Sequence, residues 1–133
     1  MGAWSHEPFG NDSAVDWAWE LLETSDLSLI AGAIEKAIKE SDEYLEAPEG
    51  EEAIAAIEVL AKIKGRGTQS DSYTEEVDSW VEKHSLNISE ELSFKAQKVL
   101  ELVSSEKSEL AELWEGQDEW KACIEKLKLA LGD

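Results

Sequence analysis

The apolar residues of this chain recur at helical spacing along nearly its whole length. Only two prolines interrupt the 133 residues, and no segment sustains an alternation of apolar and polar residues. A strand that is buried on one face needs that alternation, whereas a helix buries residues three and four positions apart. The sequence therefore predicts an all-α fold, a compact single-domain bundle of about six helices.

Capping residues and glycines delimit the predicted helices. Asp12 or Ser13 is a typical N-cap for the first helix and Ser89 for the fifth, and Gly116 is expected to break the sixth. The third helix carries apolar residues around much of its circumference, which predicts a central position. The expected helices cover residues 13–23, 27–39, 48–64, 74–84, the segment after 89, and the segment after 105 with a last stretch at 120–131.

Length and patterning predict one domain over residues 1–133. Segment 1–12 carries Trp4 and Phe9 ahead of the first helix. Large aromatic side chains are rarely left in water at a free terminus, so we expect this segment to dock on the fold. The polar segment 65–73 contains two glycines and no apolar stripe, and it is predicted to be a mobile loop.

Composition argues against several classes of protein. No run of about 18 apolar residues is present to span a membrane, and the chain does not open with the basic and apolar regions of a signal peptide. Cys123 is the only cysteine, so no internal disulfide can form. A reducing cytoplasm is therefore the expected location.

The charge balance is strongly negative in both halves of the chain. Thirty-one acidic residues face twelve lysines and arginines, which gives a formal net charge of −19. Such a field repels nucleic acid and anionic lipid, so neither is an expected partner. It favours a basic protein, for example a toxin domain. Solubility alone is the competing explanation, because a high net charge keeps a domain monodisperse.

Acidic residues gather in the segments 40–46, 49–52 and 112–119. A single acidic segment is typical of a solvated helix face. Several acidic segments on one small domain favour docking of a basic partner. The first two segments flank Tyr44, and an aromatic side chain within a charged surface is typical of an interface. The predicted partner-binding residues are Glu40, Asp42, Glu43, Tyr44, Glu46, Glu49, Glu51 and Glu52.

A second candidate site lies near the N-terminus. Asp12, Asp16 and Glu20 recur every four residues, which places them on one helix face close to His6. This set could bind a divalent cation or act in acid/base chemistry. Helix capping and carboxylates that suit a helix N-terminus explain the same residues. We predict no metal site and keep His6, Asp12 and Asp16 as the alternative.

Catalytic motifs are otherwise lacking in the sequence. Cys123 and His84 are a conceivable nucleophile and base, but Cys123 falls on an apolar helical stripe, which favours a buried and inert thiol. No nucleotide-binding loop, dinucleotide fingerprint or hydrolase motif is present. We therefore predict no catalytic residues and no cofactor.

The first helix carries two tryptophans that cannot share a face. Trp17 and Trp19 stand about 200° apart around a helix, at about 100° per residue. Either the helix is buried on two sides, or one indole is partly exposed. An exposed tryptophan on an acidic surface is typical of a protein-binding site, while core burial is the simpler alternative.

Three segments carry a resemblance to a known family. The chain opens Met1-Gly2-Ala3-Trp4 and continues Phe9-Gly10-Asn11-Asp12 into a helix rich in Asp and Trp; the other segments are 44–49, and 108–114 followed by Trp120. It resembles small bacterial proteins of domain-of-unknown-function family number 4259. Ser5 stands where that family usually has glycine. The family has no established activity, so the resemblance implies an architecture and no function.

Three functional hypotheses remain from the sequence. The first is an acidic interaction module that binds and neutralises a basic protein, most concretely a bacterial toxin-immunity protein. The second is a metal-dependent or acid/base enzyme centred on His6, Asp12 and Asp16. The third is a non-catalytic regulatory or housekeeping domain whose charge serves solubility.

Overall fold

The computed structural model describes residues 3–132, and within them the chain forms seven helices and no sheet. Met1 and Gly2 of the predicted docked segment, and Asp133, lie outside the described residues. The all-α prediction is confirmed. The helices are α1 (Asp12–Leu21), α2 (Ser28–Glu40), α3 (Ala47–Ile63), α4 (Glu75–Lys83), α5 (Glu90–Val103), α6 (Glu109–Leu113) and α7 (Asp118–Leu131).

Helix α3 forms the centre of the bundle. It packs against each of the other six helices, and its residues from Ala53 to Ala61 are all buried. Four alanines in that stretch leave room for neighbouring helix backbones to approach from several sides. A helix that is apolar around its circumference can be satisfied only in this position. The sequence-based expectation for the third helix is therefore confirmed.

The structure divides the sixth predicted helix into two helices, α6 and α7. The described residues therefore form seven helices, whereas about six were expected. Gly116 adopts a φ of 81°, a left-handed conformation that glycine takes without strain, and it separates α6 from α7. Helix α6 begins at Glu109, after Ser108 caps it by accepting a hydrogen bond from the Ala111 N–H at 3.3 Å. The expected start near Ser105 was therefore too early.

The cap of α1 also differs from the expectation. Asn11, and neither Asp12 nor Ser13, is the N-cap; its side-chain oxygen accepts a hydrogen bond from the Ala14 N–H at 2.7 Å. Asparagine is one of the preferred residues at this position. Ser89 caps α5 as predicted, by accepting from the Leu92 N–H at 3.0 Å.

The described part of the N-terminal segment folds back on itself and inserts one aromatic ring into the core. The N–H groups of Trp4 and Ser5 donate to the Gly10 carbonyl at 2.8 and 3.1 Å. Phe9 is fully buried, and its N–H donates to the side-chain oxygen of Gln69 at 2.8 Å. Trp4 is 47% exposed, so the expectation that this indole avoids water is wrong; its ring lies 5.3 Å from that of Tyr73.

The segment 65–73 is attached to α3 through Glu58, which has no exposed surface. The carboxylate of Glu58 accepts from the Thr68 N–H at 2.8 Å, the Thr68 hydroxyl at 2.7 Å and the Gln69 N–H at 2.8 Å. The ammonium of Lys62 lies 3.6 Å from Glu58 and 2.6 Å from Asp78 of α4. We call these five residues, Glu58, Lys62, Thr68, Gln69 and Asp78, the Glu58 network. The mobility of segment 65–73 stays a prediction. Within that segment, Thr68 and Gln69 are held by these hydrogen bonds.

Truncation of Gln69 should loosen the N-terminal segment. The substitution Gln69→Ala removes the acceptor of the buried Phe9 N–H, and an unmet buried donor costs about 1–3 kcal/mol. We expect the amide hydrogen of Phe9 to exchange with solvent at least about tenfold faster. Hydrogen exchange read by NMR tests this, with the amides of the α5 core as internal controls. Unchanged exchange at Phe9 would show that burial of the ring alone holds the segment.

Candidate functional site

The predicted partner-binding residues surround the N-terminal end of α3. Glu40 is the last residue of α2, and the turn that follows exposes Asp42 and Glu43 before Leu45 enters the core. Backbone hydrogen bonds fix this turn, because the Leu45 N–H donates to the Lys107 carbonyl at 2.8 Å and its carbonyl accepts from the Glu109 N–H at 2.9 Å. The turn is therefore held against the start of α6.

The remaining predicted carboxylates come from the beginning of α3. Glu46 is its exposed N-cap, and Glu49, Glu51 and Glu52 lie within its first turns, half-buried. Glu49 lies 4.0 Å from Lys36 of α2, a contact too long and too exposed to neutralise it firmly. The other carboxylate oxygen of Glu49 is buried without a hydrogen-bond partner among the described residues.

Tyr44 joins this region to a helix that is distant in sequence. Its ring is 38% exposed, and its hydroxyl donates a hydrogen bond to the carboxylate of Glu112. On the same helix α6, a Glu109 carboxylate oxygen accepts from the Ala47 N–H at 2.7 Å and so caps α3. Sequence reasoning left Glu109 out of the site, because nothing in the local pattern ties it to a helix that begins 62 residues earlier.

Carboxylates of four helices meet here and perturb one another. Burial raises the pKa of Glu51, and the charges of Glu109 and Asp12 raise it further, while a hydrogen bond from the Ser13 hydroxyl opposes the rise. Burial is the main cause of the rise, and the like charges nearby add to it because each favours the neutral acid of its neighbour.

Glu52 shows the same effect on the α2 side of α3. Burial raises the pKa of Glu52, Lys36 lowers it, and the nearby charges of Glu49, Glu20 and Glu40 raise it again. We use the name acidic surface for the predicted residues together with the carboxylates that the structure adds to them. Its members are Asp12, Glu20, Glu40, Asp42, Glu43, Tyr44, Glu46, Glu49, Glu51, Glu52, Glu109 and Glu112.

These raised pKa values predict that the fold weakens as pH increases. Burial raises the folded-state pKa of Glu51, Glu52 and Glu58 above the ordinary 4.5, so the stability that they contribute is complete below that value. It is lost as pH rises through the folded-state pKa. We expect a higher urea midpoint at about pH 5 than at about pH 8.

Matched variants test this pH dependence. The double change E51Q/E52Q should reduce the difference between the two pH values, whereas Glu101→Gln on the exposed face of α5 should leave it unchanged. A urea midpoint that rises from pH 5 to pH 8 would contradict the prediction.

The structure gives the metal alternative no support. Asp12 and Asp16 are exposed, whereas the partly buried His6 lines a cavity of about 20 Å³ whose walls include Glu51 and Cys123 but neither aspartate. That volume has room for about one water molecule. Within residues 3–132, no three histidine, cysteine, aspartate or glutamate side chains come together in a way that could hold a metal ion.

Cys123 and His84 lie in different surroundings. Cys123 is half-buried in the wall of the cavity beside His6, and burial raises the pKa of its thiol, which keeps it protonated and weakly nucleophilic. His84 follows α4, with its Nδ1 2.9 Å from the Trp80 carbonyl oxygen and its ring 4.9 Å from the Trp80 ring. The geometry does not support a nucleophile and base pair.

The two tryptophans of α1 take opposite environments. Trp17 is buried, with 3% of its surface exposed, whereas Trp19 is 57% exposed. Trp19 forms one wall of a groove of about 180 Å³ between α1 and the start of α4. We call it the aromatic groove; it is lined by Val15, Ala18, Trp19, Leu22, Ser72, Tyr73, Glu76 and Val77. The sequence predicted either a helix buried on two sides or one partly exposed indole, without saying which, and it gave no sign of Tyr73, which lies in the polar segment before α4.

Comparison with known proteins identifies a family and no relative of known function. A family model described as Domain of unknown function (DUF4259) matches residues 2–125. Searches of curated proteins and of solved structures found no match. Among the described residues, no helix combines the length and the apolar character that crossing a membrane requires.

Proposed function

We propose that this chain, which belongs to the DUF4259 family, is an acidic interaction module that binds and neutralises a basic protein. The most concrete form is a bacterial toxin-immunity protein, whose acidic surface would cover a basic face of the toxin domain. The observation that carries the proposal is the acidic surface itself. It collects carboxylates from α1, α2, α3 and α6 at one end of the bundle.

Electrostatics gives this surface two of the properties that such a module needs. A basic partner is steered toward a surface of one sign, which speeds association and makes it sensitive to salt. Burial, with a smaller contribution from neighbouring carboxylates, raises the pKa values of Glu51 and Glu52 in the free chain. A cation from a partner would favour their charged forms, so binding should be accompanied by proton release and should weaken as the pH falls.

Tyr44 supplies the aromatic element of the proposed interface. Buried aromatic side chains carry much of the energy of protein interfaces, and charged residues around them set orientation and specificity. The hydrogen bond to Glu112 and the fixed backbone at Leu45 hold Tyr44 in place before a partner binds. Such preorganisation lowers the entropic cost of association.

Affinity capture at two salt concentrations tests the proposal. The immobilised chain should retain one basic protein from source-cell lysate in nearly equal amount at about 0.1 M salt and release it at about 1 M. Over that range the Debye length falls from about 10 Å to about 3 Å. A purified pair should then bind with a dissociation constant that rises steeply with salt.

Two outcomes would contradict the proposal. Retention of no protein would favour a regulatory or housekeeping domain whose charge serves solubility. A partner that stays bound at high salt and tolerates reversal of the acidic surface would move the interface elsewhere on the fold.

A further inference from the structure

Three large aromatic side chains are exposed in or beside the aromatic groove. Trp19 is 57% exposed and Tyr73 54%, and Trp4 packs against Tyr73 while remaining 47% exposed. Contiguous exposed apolar patches on a folded domain often mark interaction sites. The floor between the rings is apolar, formed by Ala18, Leu22 and Val77 among others.

A single carboxylate gives the aromatic groove its charge. Among the described residues that line it, Glu76 is the only charged one, and none is a lysine, arginine or histidine. Glu76 forms no ion pair within residues 3–132. The two helices that form the groove also carry the exposed acids Asp16 and Glu75, and the exposed Glu23 lies in the turn that follows α1. The groove is therefore complementary to one positive charge that is attached to an apolar stem.

We infer that the aromatic groove is a subsite for an arginine side chain presented by a partner polypeptide. Its methylene stem would lie along Leu22 and Val77, and its guanidinium would stack on the ring of Trp19 or Tyr73 while donating to Glu76. Arginine suits this arrangement because its planar, weakly hydrated cation stacks on aromatic faces and binds carboxylates in a fork.

Other occupants fit the aromatic groove less well. A purely apolar side chain would displace water from the Glu76 carboxylate without giving it a donor, which carries a desolvation cost. Lysine would satisfy the charge, but its compact and strongly hydrated ammonium loses more on leaving water and cannot stack as a plane. The combination of two rings with one carboxylate therefore selects arginine.

The wall that contains Tyr73 is held in place before any ligand binds. The Tyr73 N–H donates to the Asp71 carboxylate at 2.9 Å, and the other Asp71 oxygen accepts from the Gln69 side-chain amide at 3.0 Å. Gln69 in turn belongs to the Glu58 network. Through these bonds the wall is connected to the buried core of α3, and a preformed groove lowers the cost of binding.

This subsite is separate from the acidic surface of the proposed function. The aromatic groove lies between α1 and α4, whereas the acidic surface surrounds the N-terminal end of α3 and includes only Asp12 and Glu20 from α1. The inference goes beyond that proposal, since the two surfaces share no residue and each can fail while the other stands.

NMR titration of the full chain with a short peptide that holds one arginine between neutral residues tests the inference. The indole N–H of Trp19 and the backbone amides of Tyr73 and Glu76 should shift, with a dissociation constant on the order of 1–10 mM. The same peptide with citrulline in place of arginine keeps the shape and removes the charge, and it should bind at least about fivefold more weakly.

Variants separate the subsite from general attraction to an acidic protein. Trp19→Ala and Glu76→Gln should each weaken binding of the arginine peptide by about five- to tenfold. Glu82→Gln removes an exposed charge from the same helix α4 outside the aromatic groove and should change binding less than about twofold. Tyr73→Phe keeps the ring and should bind as the unchanged chain does.

Three results would overturn the inference. Equal binding of the citrulline peptide would exclude recognition of the cation. Shifts confined to residues of the acidic surface would assign the arginine to that surface. If no resonance shifts at tens of millimolar peptide while the spectrum shows a folded chain, the aromatic groove does not bind an arginine side chain.

Discussion

Replacement of Glu58 by leucine should lower the free energy of unfolding by about 3–5 kcal/mol, although the new side chain is apolar and similar in volume. The reason is the set of donors that Glu58 satisfies. The Thr68 N–H, the Gln69 N–H and the Thr68 hydroxyl all point to its carboxylate at 2.7–2.8 Å. Leucine accepts none of these hydrogen bonds, and each buried donor left without a partner carries a desolvation cost.

Urea unfolding measures this effect, and two further variants locate its origin. Glu58→Gln keeps one acceptor oxygen and the side-chain size, so its cost should fall between those of the leucine variant and the unchanged chain, at about 1–2 kcal/mol. Glu101→Leu places the same apolar side chain on an exposed helix position, where a change within about 0.5 kcal/mol is expected.

A neutral or stabilising Glu58→Leu would contradict this interpretation. Apolar residues sometimes replace whole buried ion pairs without loss, but here only the acceptor is removed and its donors stay. Lys62 is not expected to be the main source of the cost, because Asp78 at 2.6 Å also compensates its charge. A neutral result would mean that Thr68 and Gln69 can turn their donors to water at little expense.

Reversal of three exposed charges on the acidic surface should weaken partner binding by about 100-fold or more, which corresponds to roughly 2.7 kcal/mol. The variant D42K/E43K/E46K changes residues that are all exposed and lie outside the core, so the fold should remain intact. Each lysine replaces an attraction to a basic partner with a repulsion at short range. Titration calorimetry with the purified partner measures the loss, and circular dichroism checks the helical content.

The control variant carries the same change in net charge at the other end of α3. Glu82 lines a depression beside Lys62, and Glu90 and Glu91 line one beside Lys64, where α3 ends. With a rise of about 1.5 Å per residue, helix α3 separates these positions from the acidic surface by about 20 Å, more than two Debye lengths at physiological salt. The variant E82K/E90K/E91K should therefore bind within about threefold of the unchanged chain. Equal losses in both variants would show that net charge alone drives binding.

Helix periodicity explains how far the fold could be predicted. The central position of α3 followed from its apolar circumference, since only burial on all sides satisfies such a helix. Boundaries were less secure where several possible caps adjoin. Asn11, and neither Asp12 nor Ser13, caps α1 because its side chain accepts from the Ala14 N–H. The shortness of α6 depends on Ser108, which is buried against Leu45, a residue far away in sequence.

The candidate site was predictable in part. Local runs of acidic residues identified 40–52, because charge density is a property of sequence. Glu109 and Glu112 could not be assigned to the acidic surface from the sequence, because they reach it only through the packing of α6 against the turn at Tyr44. The choice of Trp19 over Trp17 as the exposed indole likewise depended on which face of α1 meets α3.

Sequence by itself determined the all-α fold, the central helix and the negative charge, because periodicity, propensity and ionisation are local properties of residues. Tertiary structure alone decided which carboxylates share a surface, that Glu58 is buried as the acceptor for Thr68 and Gln69, and that Trp19 and Tyr73 form one groove. These juxtapositions join residues that are tens of positions apart. Their energies depend on distance and burial in space, which no local pattern encodes.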